Sequence, residues 1–341
     1  MSQPITPAGA AGHSHHSREE AFMIRNIHWA AALLSIGAAT SAHASCGSAF
    51  CTLLNDRFAL GTWDHVGWSI DMRLESVTQD KLKTGSHTID ASQVTGEEAL
   101  ERHTDNTNLV ATLERAFDMH WSLALRVPVV KRDHLHDLID DTTGAIGPSE
   151  QWKFTKLGDV SLLARWQDAQ HAPDSSWAAT AGLKLPTGSI DVRNADGVRA
   201  ERALQPGSGT TDIVLGFAGR RMVAPTDALN LQATWIQALN SREDFKPGRH
   251  IELAAGWSHA FTPAVSGVVQ VSVLDKARDS GAQAEPENSG GTFVSLSPGL
   301  NWALGASGVL YGYVVVPVYQ RVNGIQLVPR TSFAIGYTAV F

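Results

Sequence analysis

The chain has 341 residues, a formal net charge of −7, 43% hydrophobic and 18% charged residues, with 30 glycines and 10 tryptophans. A negative balance without a basic cluster excludes a nucleic-acid surface, so no nucleic-acid partner is expected. The mean hydropathy of −0.10, with no run of ~18 apolar residues beyond the N-terminal region, excludes a bundle of membrane-spanning helices but suits strands that are only half apolar.

Residues 1–22 are polar, with a histidine patch at His13, His15 and His16. Residues 23–44 then read as a secretory signal peptide. Arg25 supplies the positive start, Trp29 to Ala39 the short apolar core, and Ala42-His43-Ala44 the small-x-small cleavage site. This places the mature N-terminus at Ser45, and Met23 as a natural start makes 1–22 an over-extended N-terminus. Residues 45–66 form a periplasmic segment holding the two cysteines, Cys46 and Cys51. In an oxidising compartment they read as a local disulfide, with a metal or redox thiol pair as the alternative, although their spacing is not Cys-x-x-Cys.

From Gly67 onward the pattern has a period of two. Trp68, Ile70, Met72 and Leu74 alternate with Ser69, Asp71, Arg73 and Glu75, as in a strand with one apolar and one polar face. The same alternation predicts strands near 109–117, 121–129, 160–166, 177–185, 212–220, 229–235, 251–258, 265–273, 292–302 and 309–319, the penultimate strand carrying Val309, Tyr311, Tyr313, Val315 and Tyr319 on its apolar row. Between them, Gln79–Asn106, Lys131–Lys156, Pro186–Thr210, Ser241–Gly248, Asp275–Gly290 and Arg321–Pro329 read as long loops, alternating with short turns such as Asp118-Met119-His120 and Gly305-Ala306-Ser307. The expected fold is all-β: a transmembrane antiparallel β-barrel over 67–341, of about 12 strands of about 10 residues, with short periplasmic turns and long extracellular loops. Closure satisfies every backbone group and leaves no edge exposed to lipid. Trp68, Trp121, Trp166, Trp177, Trp257, Trp302 and Tyr319 sit near strand ends and read as interfacial girdles.

The last strand runs from Arg330 to Phe341, with Phe333, Ile335, Tyr337 and Phe341 on one face. It resembles the terminal strand of bacterial outer-membrane barrels, which implies that Tyr337 and Phe341 are the signal read by the barrel-assembly machinery. An ordinary terminal strand of a soluble sandwich is the alternative, but a sandwich has no reason to alternate long and short connections.

The polar rows offer Asp71, Arg73, Glu75, Glu114, Arg126, Arg165, Lys184, Asp212, Arg220 and Glu252 as lumen-facing candidates. They suit either a watery channel or a ladder of ion pairs that holds the barrel. In the loop 132–141, His134, His136 and Asp137 are weak candidates for a divalent metal, because imidazole with carboxylate holds transition metals but the spacing fits no zinc motif. No other cofactor is expected. No Gly-x-Ser-x-Gly elbow or triad is present, so an enzyme is not expected.

Gly158-Asp-Val-Ser-Leu-Leu-Ala-Arg-Trp166, Gly182-Leu-Lys-Leu-Pro-Thr-Gly188 and Gln205-Pro-Gly-Ser-Gly-Thr-Thr-Asp212 resemble the outer-membrane transporter family of the meta-pathway of phenol degradation, related in style to long-chain fatty acid transporters. The resemblance implies an outer-membrane channel for small hydrophobic or aromatic compounds, with lipid and a small-molecule substrate as partners. It does not account for Cys46 and Cys51. The second reading is a surface binding or structural barrel with a plugged lumen, capturing a metal ion through its His/Asp-rich loop.

Overall fold

The computed structural model describes residues 63, 65–94, 97, 99–140, 143–168 and 174–341. The polar stretch 1–22, the expected signal peptide 23–44 and the Cys46/Cys51 pair lie outside the described residues.

The strands are β1 (Gly67–Gly85), β2 (His87–Thr88), β3 (Ala99–Ala116), β4 (Trp121–Ile139), β5 (Ile146–Leu157), β6 (Val160–Asp168), β7 (Ser175–Leu185), β8 (Asp212–Ala224), β9 (Asp227–Ala238), β10 (His250–Ala260), β11 (Val265–Lys276), β12 (Gly291–Leu304), β13 (Gly308–Pro329) and β14 (Ser332–Val340). They form one continuous sheet that closes where β14 pairs β1 antiparallel, from Ser69 opposite Val340 to Ser76 opposite Phe333. Trp68 and Phe341 exchange both backbone hydrogen bonds at 2.9 Å across that seam. β5 and β6 lie end to end along β4, with Val129 opposite Leu157 and Arg126 opposite Ser161. Taking β5 and β6 as one crossing strand, and β2 as a short addition to β1, the fold is a closed 12-strand antiparallel barrel.

The alternation dictates which side faces which solvent. In β1, Ser69, Asp71, Arg73, Glu75, Val77 and Gln79 are buried, whereas Trp68, Met72 and Leu74 are exposed. The same inversion puts Leu113, Leu125, Leu183, Leu215, Leu231, Leu253 and Val271 on the outside. A contiguous apolar exterior around a polar interior suits hydrocarbon outside and water or side chains within.

Three expectations are corrected. First, the stretches 79–106 and 131–156 are largely strand. β1 and β3 stay paired to Gln79 opposite Thr104, and β4 and β5 form a hairpin from Val129–Leu157 to Ile139–Ile146. Polar residues standing clear of the apolar band still satisfy their backbones in a ladder, but they lack the apolar alternation that marks a strand in sequence. Second, 321–329 is not a loop. It continues β13, pairs with the top of β1, and leaves only Arg330 and Thr331 to connect to β14. The regular alternation of long and short connections therefore fails at this hairpin. Third, Tyr311 and Tyr313 face inward, 1% and 5% exposed, as does Val315. The register shifts opposite Val294 and Ser295, so Tyr319 turns outward. A bulge of this kind changes which parity faces out. Both inward tyrosines lie over glycines of neighbouring strands: a Cβ on Gly336 would sit 2.3 Å from the Tyr311 ring, and one on Gly299 2.2 Å from the Tyr313 ring.

The expected girdle residues are unevenly placed. Trp68, Trp121, Trp166, Trp177, Trp257 and Trp302 all lie toward the short-turn end, whereas Tyr319 lies toward the loop end. Trp166 packs on Trp177 with ring centroids 4.6 Å apart.

Candidate functional site

The inner wall is a set of short-range charge pairs rather than a bare field. On β3 and β6, Arg165 bonds Glu114 at 2.8 Å, and Ser122 of β4 donates to the same carboxylate. On β1, Arg73 bonds Glu75 at 2.7 Å, and Asp71 accepts from Tyr311 and, at 2.7 Å, from Thr338. Lys184 of β7 lies 2.8 Å from Asp159 and 3.0 Å from Asp212. Arg126 is half-buried on the cavity wall, Glu252 is buried on β10, and Arg220 is exposed near the turn end of β8, beside Met222. In the sets built on Glu114, Glu75 and Lys184 the partners lie 2.5–3.0 Å apart, so they hold one another and the wall at once.

The segment between β7 and β8 enters the barrel. Ala200, Arg202, Ala203, Leu204, Gln205 and Thr210 are buried there. Its path is fixed from three sides. Arg132 of β4 donates to the Leu204 carbonyl at 2.6 Å. The Trp152 indole of β5 donates to the Val198 carbonyl at 2.9 Å. Asp159, at the break between β5 and β6, accepts from the backbone of Gly188 and Ser208. Gly188 and Gly207 pass so close that a Cβ on either would meet the other's backbone within 2.7 Å, so only glycine permits the crossing. Gln205 knits the loop to itself through Val192 and Ala200.

Between this loop and the wall lies a cavity of about 230 Å³. Val110, Leu163, Ala178, Val214, Ala218 and Phe245 give it apolar surface, interleaved with polar and charged side chains such as Thr112, Arg126, Arg165, Lys184 and Asp212. Toward the turn end, Trp63 lies under the Arg165 guanidinium at 5.2 Å and exchanges hydrogen bonds with Gln167 at 2.9 Å. The lumen is thus narrowed from both ends.

At the loop end, the outward row of β4 passes from Leu123 and Leu125 to Lys131 and Asp133, beyond the apolar band. There His134 and His136, two apart on β4, face inward and are buried. The Thr104 hydroxyl of β3 lies 2.8 Å from His134 Nδ1, and Glu150 of β5 lies 3.2 Å from His136 Nε2. Burial, with His136, Arg132 and His103 nearby, holds the His134 imidazole well below the usual histidine range. Glu101 of β3 joins the two histidines, one ligand atom from each of the three lying within 4.8 Å of the others. Asp137 is committed elsewhere, to Arg102 at 2.5 Å and to Ser149. Tyr337 is exposed on the outer face of β14, and Phe341 is exposed directly after it.

Glu101, Trp63, Trp152 and Ser208 carry no functional mark in the sequence, and Tyr311 is marked there only as part of an apolar row. Glu101 and Trp152 sit in stretches read as loop, and Ser208 and Asp159 stand within the glycine-rich signatures without a chemical mark of their own.

A family profile described as the putative MetA-pathway of phenol degradation matches residues 90–319. No curated protein matches the sequence. Among solved structures, an outer membrane channel from Pseudomonas putida F1 superposes with a TM-score of 0.59 at 14% identity, over 82% of this chain and 97% of that one. The β domain of the Bordetella autotransporter BrkA gives 0.45 at 13% identity, over 81% and 100%. The Ralstonia pickettii toluene transporter TbuX gives 0.35 at 11% identity, over 81% and 90%.

Proposed function

The chain belongs to the family of the putative MetA-pathway of phenol degradation, and from that premise we propose that it is an outer-membrane channel for small hydrophobic compounds, aromatic ones among them. The observation that carries this reading is the cavity between the inward-folded loop and the wall. At about 230 Å³, with apolar patches set among polar and charged side chains, several of them paired with one another, it suits a compact solute with an apolar body and one or two hydroxyls. The apolar exterior fits residence in the outer membrane. The Pseudomonas putida F1 protein that shares this fold is itself described as an outer membrane channel.

The wall is interrupted where β5 ends and β6 begins, and the loop side chain Thr187 bridges that break by bonding both Gly158 and Val160. The loop is therefore tied to the one place where the crossing strand is discontinuous, so its motion and the break are mechanically linked. The second reading, a structural barrel with a plugged lumen, draws on Trp63 and the loop occupying the interior together.

The test is uptake of a phenol-class compound at limiting concentration by Gram-negative cells making the protein. Native protein should raise uptake over cells lacking it. Ala218→Trp, which fills the cavity from β8, should cut that uptake several-fold at equal outer-membrane level. Uptake indifferent to both the protein and the substitution would favour the plugged barrel.

A further inference from the structure

We propose that Glu101, His134 and His136 form a binding site for a divalent transition-metal ion of the zinc class, where the inward-folded loop meets the barrel wall. Three strand positions converge there: Glu101 on β3 and the two histidines on β4, with one ligand atom from each within 4.8 Å of the others. Donors on a tetrahedral zinc with bonds of ~2.1 Å lie about 3.4 Å apart. Side-chain movements of about 1 Å would therefore close the set.

A second observation points to a ligand. His134 is fully buried, and its Nε2 has no hydrogen-bond partner among the described residues, while Nδ1 is held by the Thr104 hydroxyl. In the tautomer whose Nδ1–H donates to the Thr104 hydroxyl, Nε2 carries the lone pair, and an oriented neutral imidazole is the form that ligates metal. A buried acceptor left in that state is costly unless something fills it.

The surrounding charge is mixed but suitable. Glu150 lies 3.2 Å from His136 Nε2, and Glu201 of the inward loop 3.9 Å from His136 Nδ1. The nearby Arg132 opposes a cation, but its guanidinium is engaged by Asn106 and by the Leu204 carbonyl. Two imidazoles with carboxylates suit zinc, nickel or copper rather than calcium or magnesium. Glu201 lies beside the set at the start of the loop's buried turn, so an ion here would fasten the loop to β4. The site is independent of whether the barrel conducts.

The experiment is titration of the detergent-purified protein with Co²⁺ and Zn²⁺, the histidine variants below serving as the control for binding elsewhere on the chain. Co²⁺ should give visible d–d absorption of tetrahedral character at one ion per chain, bleached by Zn²⁺. The pair His134→Ala and His136→Ala should weaken binding by about 100-fold or more, with the barrel's heat-modifiable gel mobility retained. If that pair fails to assemble, His136→Gln replaces it and should likewise abolish the Co²⁺ absorption. Absence of tetrahedral absorption in the chain with both histidines intact, or equal binding by an assembled variant, overturns the proposal.

Discussion

Glu114 and Arg165 meet at 2.8 Å inside the barrel, with 3% and 5% of their side chains exposed. A pair this well buried is a weak source of net stability, because two charges must be desolvated to make it, but breaking it strands one of them. Arg165 has a further commitment, its guanidinium lying over Trp63. Arg165→Ala should therefore cost about 3–5 kcal/mol, read as a lower urea midpoint for the folded barrel. Arg165→Met combined with Glu114→Gln should recover most of that loss, since no charge is then left alone. The tyrosines over Gly299 and Gly336 make the complementary point about volume: the ring occupies the space a Cβ would take, and in Tyr311 that position also delivers the hydroxyl to Asp71 at 2.9 Å.

At the scale of elements, the strands within the apolar band were legible and the rest was not. Period-two alternation marks a strand only where its two faces meet different media. It therefore located Trp68–Leu74 and Trp121–Val129, but failed at the upper halves of β1, β3 and β4 and along β5, where the outward face is polar and buried apolar residues such as Leu82, Leu100 and Trp152 stand among polar ones without a regular alternation. The same limit explains the metal candidates. His134 and His136 were read within a loop and grouped with Asp137 by proximity in sequence, whereas the strand pairing brings in Glu101, and Asp137 turns to Arg102. The glycine- and proline-rich composition of the loop Pro186–Thr210 is compatible with an inward course. Its anchors, Trp152, Arg132 and Asp159, are distant in sequence and carry no common pattern. Removing the segment from Ser189 to Leu204 should raise single-channel conductance several-fold in planar bilayers, with gel mobility still that of a folded barrel. An unchanged conductance would mean that Trp63 and the wall set the constriction by themselves.

At the scale of the whole molecule, closure depends on the first and last strands, which meet only after the full chain is present. The Phe341 side chain is 71% exposed on the outer face, and its backbone exchanges two hydrogen bonds with Trp68. These are separable roles. The backbone pairing completes the seam, whereas the exposed aromatic ring makes no interior contact and is free to be read from outside. Phe341→Ala should therefore lower the yield of membrane-inserted protein while leaving the stability of the inserted fraction nearly unchanged. A pulse-chase of folded against unfolded gel mobility measures the first, and urea unfolding the second.

Six tryptophans lie toward the turn end, against Tyr319 and the half-buried Trp235 in the loop-end half, so the barrel's aromatic anchor is weighted to one side. Indole rings favour the headgroup level, so vertical position is referenced to the inner leaflet, and the outer leaflet must conform to whatever height of apolar wall remains. In bilayers of differing thickness the turn end should stay at constant depth while lipid stretches or thins around the loop end, at a fraction of a kcal/mol per Å. Brominated lipids confined to the inner leaflet should quench the native tryptophan emission far more than the same lipids in the outer leaflet, and that contrast should persist as acyl chains are lengthened. A barrel moored this way keeps its short turns in register with the periplasm whatever the state of the outer surface.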